Sequence, residues 1–264
     1  MDDILLNIGQ VGPHFFVACL RPLGMFLVMP LLQSKNIGGS YVRNSIIMLL
    51  VLPVFPAIDD NNILKEYGST GFSLFFAMSQ EVIIGVLIGF VAGIPFWAID
   101  SAGYLIDTMR GSSMSSIYNP ALAESSTLLG VFFSQLLTVI FFSCGGMNAL
   151  ITALYQSYAL FPPGRHLVFH HNLLVFIKQQ WDLLFTLFLR FSLPAAAIML
   201  LTDIGMGLLN RTAQQLNVFF LAMSIKSILV LLVLMITIGF SLNDFSHVMT
   251  HNLSSFNSIW GTMP

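Results

Sequence analysis

Charge is the scarcest property of this chain. Lys, Arg, Asp and Glu together supply 8% of its 264 residues, where an ordinary soluble domain carries roughly a quarter. A water-soluble globule of this length cannot cover itself with 10 basic and 12 acidic side chains, which argues against a soluble enzyme. No basic block is present and the formal net charge is −2, so nucleic-acid binding and disorder are both disfavoured. Cysteine is rare as well. Cys19 and Cys144 lie in apolar runs, where a buried free thiol is the plain reading and no local pattern supports a disulfide. No Lys or Arg precedes Arg21, whereas a cleaved signal peptide starts basic, so the apolar segments themselves are expected to direct insertion.

The usual chemical motifs are missing too. There is no G-x-x-x-x-G-K-[ST], G-x-G-x-x-G or G-x-S-x-G run, hence no phosphate cradle and no nucleophile elbow. No H-E-x-x-H occurs. His166 and His170 have i,i+4 spacing with His171 beside them, yet no Cys or carboxylate follows until Asp182; an interfacial loop is favoured over a metal site. Asp100 and Asp203 would have to meet in space to form an intramembrane carboxylate pair, and nothing local brings them together. No catalytic residue, metal or cofactor is expected.

What the chain does have is apolar length. Hydrophobic residues make up 56% of it, 24 of them Phe, and the mean hydropathy is +0.84. Six apolar stretches stand out, at about 14–32, 42–58, 72–99, 128–160, 183–209 and 218–240, against the ~20 residues that a spanning helix needs. The second is marginal; the third and fourth are too long for one simple span. Cys144-Gly145-Gly146 interrupts the fourth and predicts a bend or tight hairpin. Pro22, Pro53, Pro95 and Pro194 each remove a backbone donor and invite a kink. The expected fold is therefore all-α: a polytopic membrane-type protein of about six apolar segments forming kinked helical hairpins. The connections, including Ser101–Thr127, are too short for a second folded domain, so residues 1–264 are expected to form one membrane domain. The tail from Asn243 reads as polar and ends near Trp260, a residue suited to an interface. A slight excess of Lys and Arg after the odd-numbered stretches leans towards both termini outside the cytoplasm.

Five charges fall where lipid would be: Arg21, Glu81, Arg190, Asp203 and Lys226. Each costs roughly 2.5–3.5 kcal/mol at a helix centre, on the order of 15 kcal/mol together, if left facing lipid. Snorkelling at a helix end is an even alternative for Arg21 and Arg190. Glu81 and Lys226 are expected to face helices, other subunits or a wet lumen. Glu81, Gly85, Gly89 and Gly93 recur every fourth position and share one side of a helix, the spacing that lets another backbone approach closely. Packing within the chain and packing on a subunit suit that stripe equally. Asp100, Gly103, Asp107 and Arg110 occupy an arc of about 80° on a continuing helix, with Asp107 and Arg110 spaced to pair. Gly111 and the run Ser112, Ser113, Met114, Ser115 and Ser116 follow, then Asn119 and Pro120. This polar loop is either a solvated connection or one that lines or obstructs a passage.

The run Pro95-Phe96-Trp97-Ala98, Asp100, Gly103, Ile106-Asp107 and Arg110-Gly111 resembles the SctT family of the type III secretion export apparatus, which has the flagellar FliR proteins as more distant relatives. The likeness continues through Ser115-Ser116, Pro120, Leu129-Gly130, Gln135, Gly145-Gly146, Ser157-Tyr158 and Pro162. It resumes at Asp203, Gly207-Leu208, Asn210-Arg211, Leu216-Asn217-Val218 and Lys226-Ser227, and begins as early as Arg21-Pro22 and Arg43-Asn44. Met109, Asn119 and Gln214 depart from the family pattern, and no family role is carried over to them. The Phe-Trp and Arg-Gly elements look closer to the virulence injectisome branch than to the flagellar one.

That resemblance implies a non-catalytic structural and gating subunit of the bacterial inner membrane. It implies partners of SctR-like, SctS-like and SctU-like type in a helical multi-subunit portal, secreted proteins in transit, contact with membrane lipid, and no nucleic acid. It divides the chain into an SctR-like part, about 1–127 with its polar loop at 111–127, and remaining helical hairpins over about 128–264. It also places the loop from about Arg110 to Thr127 as a plug inside the portal. A secondary transporter of a small solute is the alternative, motivated by Glu81, Asp203 and Lys226 in apolar segments. No convincing internal repeat supports it.

Overall fold

A computed structural model describes residues 2–55, 71–112, 127–163, 171–212 and 217–261. Among them there is no strand. Among the described residues seven helices carry the fold: α1 (Asp2–Val28), α2 (Ser40–Val51), α3 (Gly71–Met109), α4 (Leu128–Ser143), α5 (Gly146–Leu160), α6 (His171–Thr212) and α7 (Val218–Gly261). Two single turns, Pro30–Leu32 and Ser34–Ile37, join α1 to α2. The all-α expectation holds.

Three of these helices are long and apolar enough to cross a membrane: Leu74–Met109, Leu173–Thr212 and Val218–Gly239. A fourth crossing is available if α4 and α5 act as one broken span, since they meet at 69°. The break falls at the expected glycines. Gly145 adopts φ 74°, a left-handed conformation that costs other residues a steric clash. With 12 residues, α2 is only about 18 Å long, short of a hydrocarbon core of ~30 Å.

Two boundaries differ from the sequence reading. The apolar stretch ends near Ile99 and a polar connection was set from Ser101, yet α3 runs on through it to Met109, in keeping with the continuing helix on which Asp100, Gly103, Asp107 and Arg110 share a face. The polar tail from Asn243 is helical as far as Gly261. Both have the same cause. Hydropathy marks where lipid-like surface stops, whereas a helix stops where its backbone ladder is interrupted, and neither segment holds a proline.

The chain divides into two compact units. One comprises Met1–Ile94, Gly145–Lys178 and Met249–Pro264; the other comprises Pro95–Cys144 and Gln179–Val248. The division of α3 falls at Pro95, whose ring removes one ladder hydrogen bond inside the helix. In the first unit α1 and α3 run parallel with backbones in contact. A Cβ on Gly24 would lie 2.5 Å from the Val82 carbonyl oxygen, one on Gly89 would lie 2.6 Å from that of Met25, and one on Gly85 would overlap the Arg21 carbonyl. Met25 and Phe26 of α1, and Leu150 and Leu154 of α5, are fully buried in the same unit.

In the second unit a file of aromatic rings forms the core. Phe133 meets Phe191 edge-to-face at 4.9 Å, Phe191 meets Phe245 at 6.3 Å, and Phe96 meets Phe141 at 5.7 Å. This is the geometry that the ring quadrupoles favour. The file ties α4 to α6 and α6 to α7, and the latter pair runs antiparallel.

Candidate functional site

The site residues gather in three places, each built on a charge. Arg21, on α1, is fully buried. Its Nε donates to Glu81 Oε2 at 2.9 Å, Nη1 to Ser157 Oγ at 3.1 Å and Nη2 to the Phe161 carbonyl at 2.9 Å. The guanidinium also lies 4.2 Å from the centre of the Tyr158 ring, within cation–π range. The Tyr158 hydroxyl donates to the Ala18 carbonyl at 2.6 Å. One arginine thus neutralises the Glu81 carboxylate and binds the carbonyl of Phe161, the residue that follows α5. Snorkelling is excluded for Arg21, because its fork is enclosed by α1, α3 and α5. Gly85 and Gly89 stand on the same side of α3 as Glu81 and lie against α1; Gly93 is buried.

Asp107 organises the second place. Gly111, at φ 88°, ends α3. Its N–H donates to the Thr108 carbonyl at 3.1 Å, and the Ser112 N–H donates to that of Asp107 at 3.1 Å. These are the two crossed bonds of a Schellman cap. The Ser112 hydroxyl donates to the same Asp107 carbonyl at 2.9 Å. The Asp107 carboxylate, meanwhile, caps a different helix: Oδ2 accepts from the Leu129 N–H at 2.8 Å, in the first turn of α4. Thr127 completes that cap by accepting from the Gly130 N–H at 3.2 Å. A negative charge at a helix N-terminus is stabilising there. Arg110 Nη2 lies 2.6 Å from Asp107 Oδ1, close enough for an ion pair but not aligned for a hydrogen bond.

Gly103 and Gly130 meet backbone to backbone, since a Cβ on Gly103 would lie 2.5 Å from the Gly130 Cα. A Cβ on Gly130 would lie 2.8 Å from Asp100 Oδ1. Asp100, Gly103 and Asp107 are therefore all turned towards the start of α4. Ser113, Met114, Ser115, Ser116, Asn119 and Pro120 lie outside the described residues, as do His166 and His170.

The third place joins α3, α6 and α7. Lys226 Nζ lies 2.5 Å from Asp203 Oδ1 and 3.4 Å from the Met109 carbonyl, where a cation suits the end of α3. Lys226 is nearly enclosed, whereas the Asp203 side chain is 52% exposed. Asp203, expected together with Lys226 to be a buried charge, is instead half exposed among the described residues. Arg190, at 69% exposure, reaches Asp244 at 3.8 Å. Among the described residues no group of three or more His, Cys, Asp or Glu is placed to hold a metal ion.

Sequence reasoning missed the Arg21 hub and the cap that Asp107 supplies to α4. The signals were present: opposite charges at Arg21 and Glu81 in apolar stretches, and an aspartate followed by Thr127 ahead of an apolar run.

Residues 13–252 of the chain match the model of a protein family described as bacterial export proteins, family 1. The chain belongs to this family. It is 46% identical over 229 residues to the secretion system apparatus protein SsaT of Salmonella typhimurium, covering 87% of this chain and 88% of that one. It is 36% identical to the Yop proteins translocation protein T of Yersinia pestis, covering 84% and 82%. The flagellar biosynthetic protein FliR of Escherichia coli is 25% identical, covering 78% and 76%. The SctT/FliR resemblance is thereby borne out, and the order of identities agrees with its leaning towards the secretion branch. With three apolar spans, this export family member is an integral protein of the bacterial inner membrane.

Proposed function

We propose that the chain is a non-catalytic structural and gating subunit of a type III secretion export portal, helping to form the entry channel for unfolded proteins across the inner membrane. The observation that carries the reading is the match of residues 13–252 to the export family, with 46% identity to a secretion apparatus protein. The partners are other helical membrane subunits of SctR-like, SctS-like and SctU-like character. The chain supplies an SctR-like part over about 1–127 and helical hairpins over about 128–264. The polar segment from Ser112 to Ser126 is the plug. Asp107 supports this reading, because its carbonyl closes the end of α3 and its carboxylate caps the start of α4, pinning both roots of that segment to one residue.

The test is expression of the tagged chain with its neighbouring membrane subunits. Co-purification of a defined complex, and loss of protein secretion when the chain is deleted, are expected. A stable monomer that never recovers such partners would sink the reading. Shortening the Ser112–Ser126 segment is expected to make the closed portal leak ions; unchanged conductance would remove the plug while leaving the portal role. The solute-transporter alternative loses its motive, since Glu81 pairs with Arg21 and Asp203 with Lys226 inside the chain. Solute uptake by the reconstituted single chain would revive it.

A further inference from the structure

We infer that Lys226 and Met223 of α7 are positioning residues for the end of α3. Together they hold the turn from which the 112–126 segment departs, separately from the Asp107 cap, and theirs is the hold that yields. The inference rests on reading that segment as the plug, and it names what keeps its first residue in place.

The two crossed bonds that end α3 use the carbonyls of Asp107 and Thr108. The Met109 carbonyl, also in the last turn, has no donor further along the helix. Lys226 Nζ reaches it at 3.4 Å. Met223 stands three residues before Lys226, and a Cβ on Gly111 would lie 2.9 Å from its Cε. Met223, Lys226, Val230 and Leu234 fall within an arc of about 80° on α7. Val230 and Leu234 are 0% and 5% exposed, so the face that α7 packs into its own unit also carries Met223 and Lys226 to the end of α3. Residues 95–144 and 179–248 belong to that one unit.

The Asp107 hold and the α7 hold differ in what release costs. Asp107 is 0% exposed. Its carbonyl accepts from the Ser112 N–H and hydroxyl, and its carboxylate accepts from the Leu129 N–H at 2.8 Å. Freeing it leaves a buried carboxylate short of a donor, which is expensive.

Lys226 is different. Its contact with the Met109 carbonyl is long for a hydrogen bond, and its ammonium remains paired with Asp203 at 2.5 Å when that carbonyl leaves. No lone buried charge results. Methionine is unbranched and adapts to a changed surface, so Met223 leaves Gly111 at little cost. The end of α3 is therefore hinged on Asp107 and latched on α7.

Hydrogen exchange of the purified full chain reads the latch directly. Lys226→Met and Met223→Ala are each expected to speed exchange at the Gly111 and Ser112 N–H by about ten-fold or more, with Leu129 within about two-fold of wild type. Lys226→Arg keeps the cation and is expected to exchange like wild type. Expressed with the neighbouring membrane subunits, Met223→Ala is expected to recover partners like wild type and to let the closed portal leak ions. A merely structural role would lower the melting temperature without a leak.

Wild-type exchange at Gly111 and Ser112 in both variants, or equal acceleration at Leu129, would overturn the proposal. If Lys226→Met does not accumulate, Met223→Ala decides, since it leaves the Lys226–Asp203 pair intact. Faster exchange with a tight portal would also overturn it, provided that shortening the 112–126 segment causes a leak. Should that shortening leave the portal tight as well, the plug reading fails instead and exchange alone decides the latch, so the two failures are distinguishable.

Discussion

Arg21 and Glu81 are 60 positions apart in sequence, and their side chains meet at 2.9 Å with both almost wholly enclosed. The guanidinium fork is also filled by Ser157 and the Phe161 carbonyl. Buried ion pairs owe their stability to such complete satisfaction, because desolvation of either charge is expensive. The pair therefore commits α1, α3 and α5 to one arrangement.

Removing either partner leaves the other charge buried and alone. Arg21→Ala or Glu81→Ala is expected to destabilise the chain by about 3–5 kcal/mol. The double replacement Arg21→Met with Glu81→Met should cost less than either single change. Thermal unfolding of the detergent-purified chain measures all three, and single variants that melt like wild type would refute the hub.

Glycine at the α1–α3 seam is a matter of distance rather than flexibility. Gly85→Ala places a methyl group against the Arg21 carbonyl and is expected to cost about 1–3 kcal/mol through displaced backbone. Gly239→Ala is the control, since a Cβ there meets nothing within 4 Å; it should be neutral, or stabilising by up to about 1 kcal/mol. Equal melting temperatures for the two variants would contradict the close approach.

Asp107 has two separable jobs. Asp107→Ala removes both the cap on Leu129 and the counter-charge of Arg110, with an expected loss of about 3–5 kcal/mol. Asp107→Asn retains an acceptor for the Leu129 N–H and should lose less. Hydrogen exchange at Leu129 and Gly130 reads the cap directly: strong acceleration is expected in the alanine variant and weak acceleration in the asparagine one.

Tyr158→Phe tests a single buried bond. It removes the hydroxyl that donates to the Ala18 carbonyl at 2.6 Å while keeping the ring beneath Arg21. A loss of about 1–3 kcal/mol is expected, because the carbonyl is left unpaired. An unchanged unfolding midpoint would mean that water replaces the hydroxyl.

Much of the architecture was legible in the residue order. Scarce charge and long apolar runs dictate helices in or against a membrane, since a backbone without water must satisfy itself. Gly145-Gly146 marked the 69° bend, because glycine alone enters the left-handed region cheaply. The signatures from Pro95 to Gly111 and from Asp203 to Ser227 marked the family. The spacing of Asp107 and Arg110 already allowed their pairing, because i,i+3 neighbours share a helix face.

The partners across the chain were not legible. Arg21 could snorkel or be enclosed, and only the position of Ser157, Tyr158 and Phe161 around it decides for enclosure. Glu81 and the α3 glycines could equally face a subunit until α1 is found against them. Asp203 could be buried until the hairpin is seen to leave it half open. Sequence by itself determined the helices and the need to hide their charges, because both follow from local periodicity and from the cost of transfer out of water. Tertiary structure alone decided which charges hide inside the chain and which stay open, because that depends on distances between segments dozens of residues apart, on which local pattern has no hold.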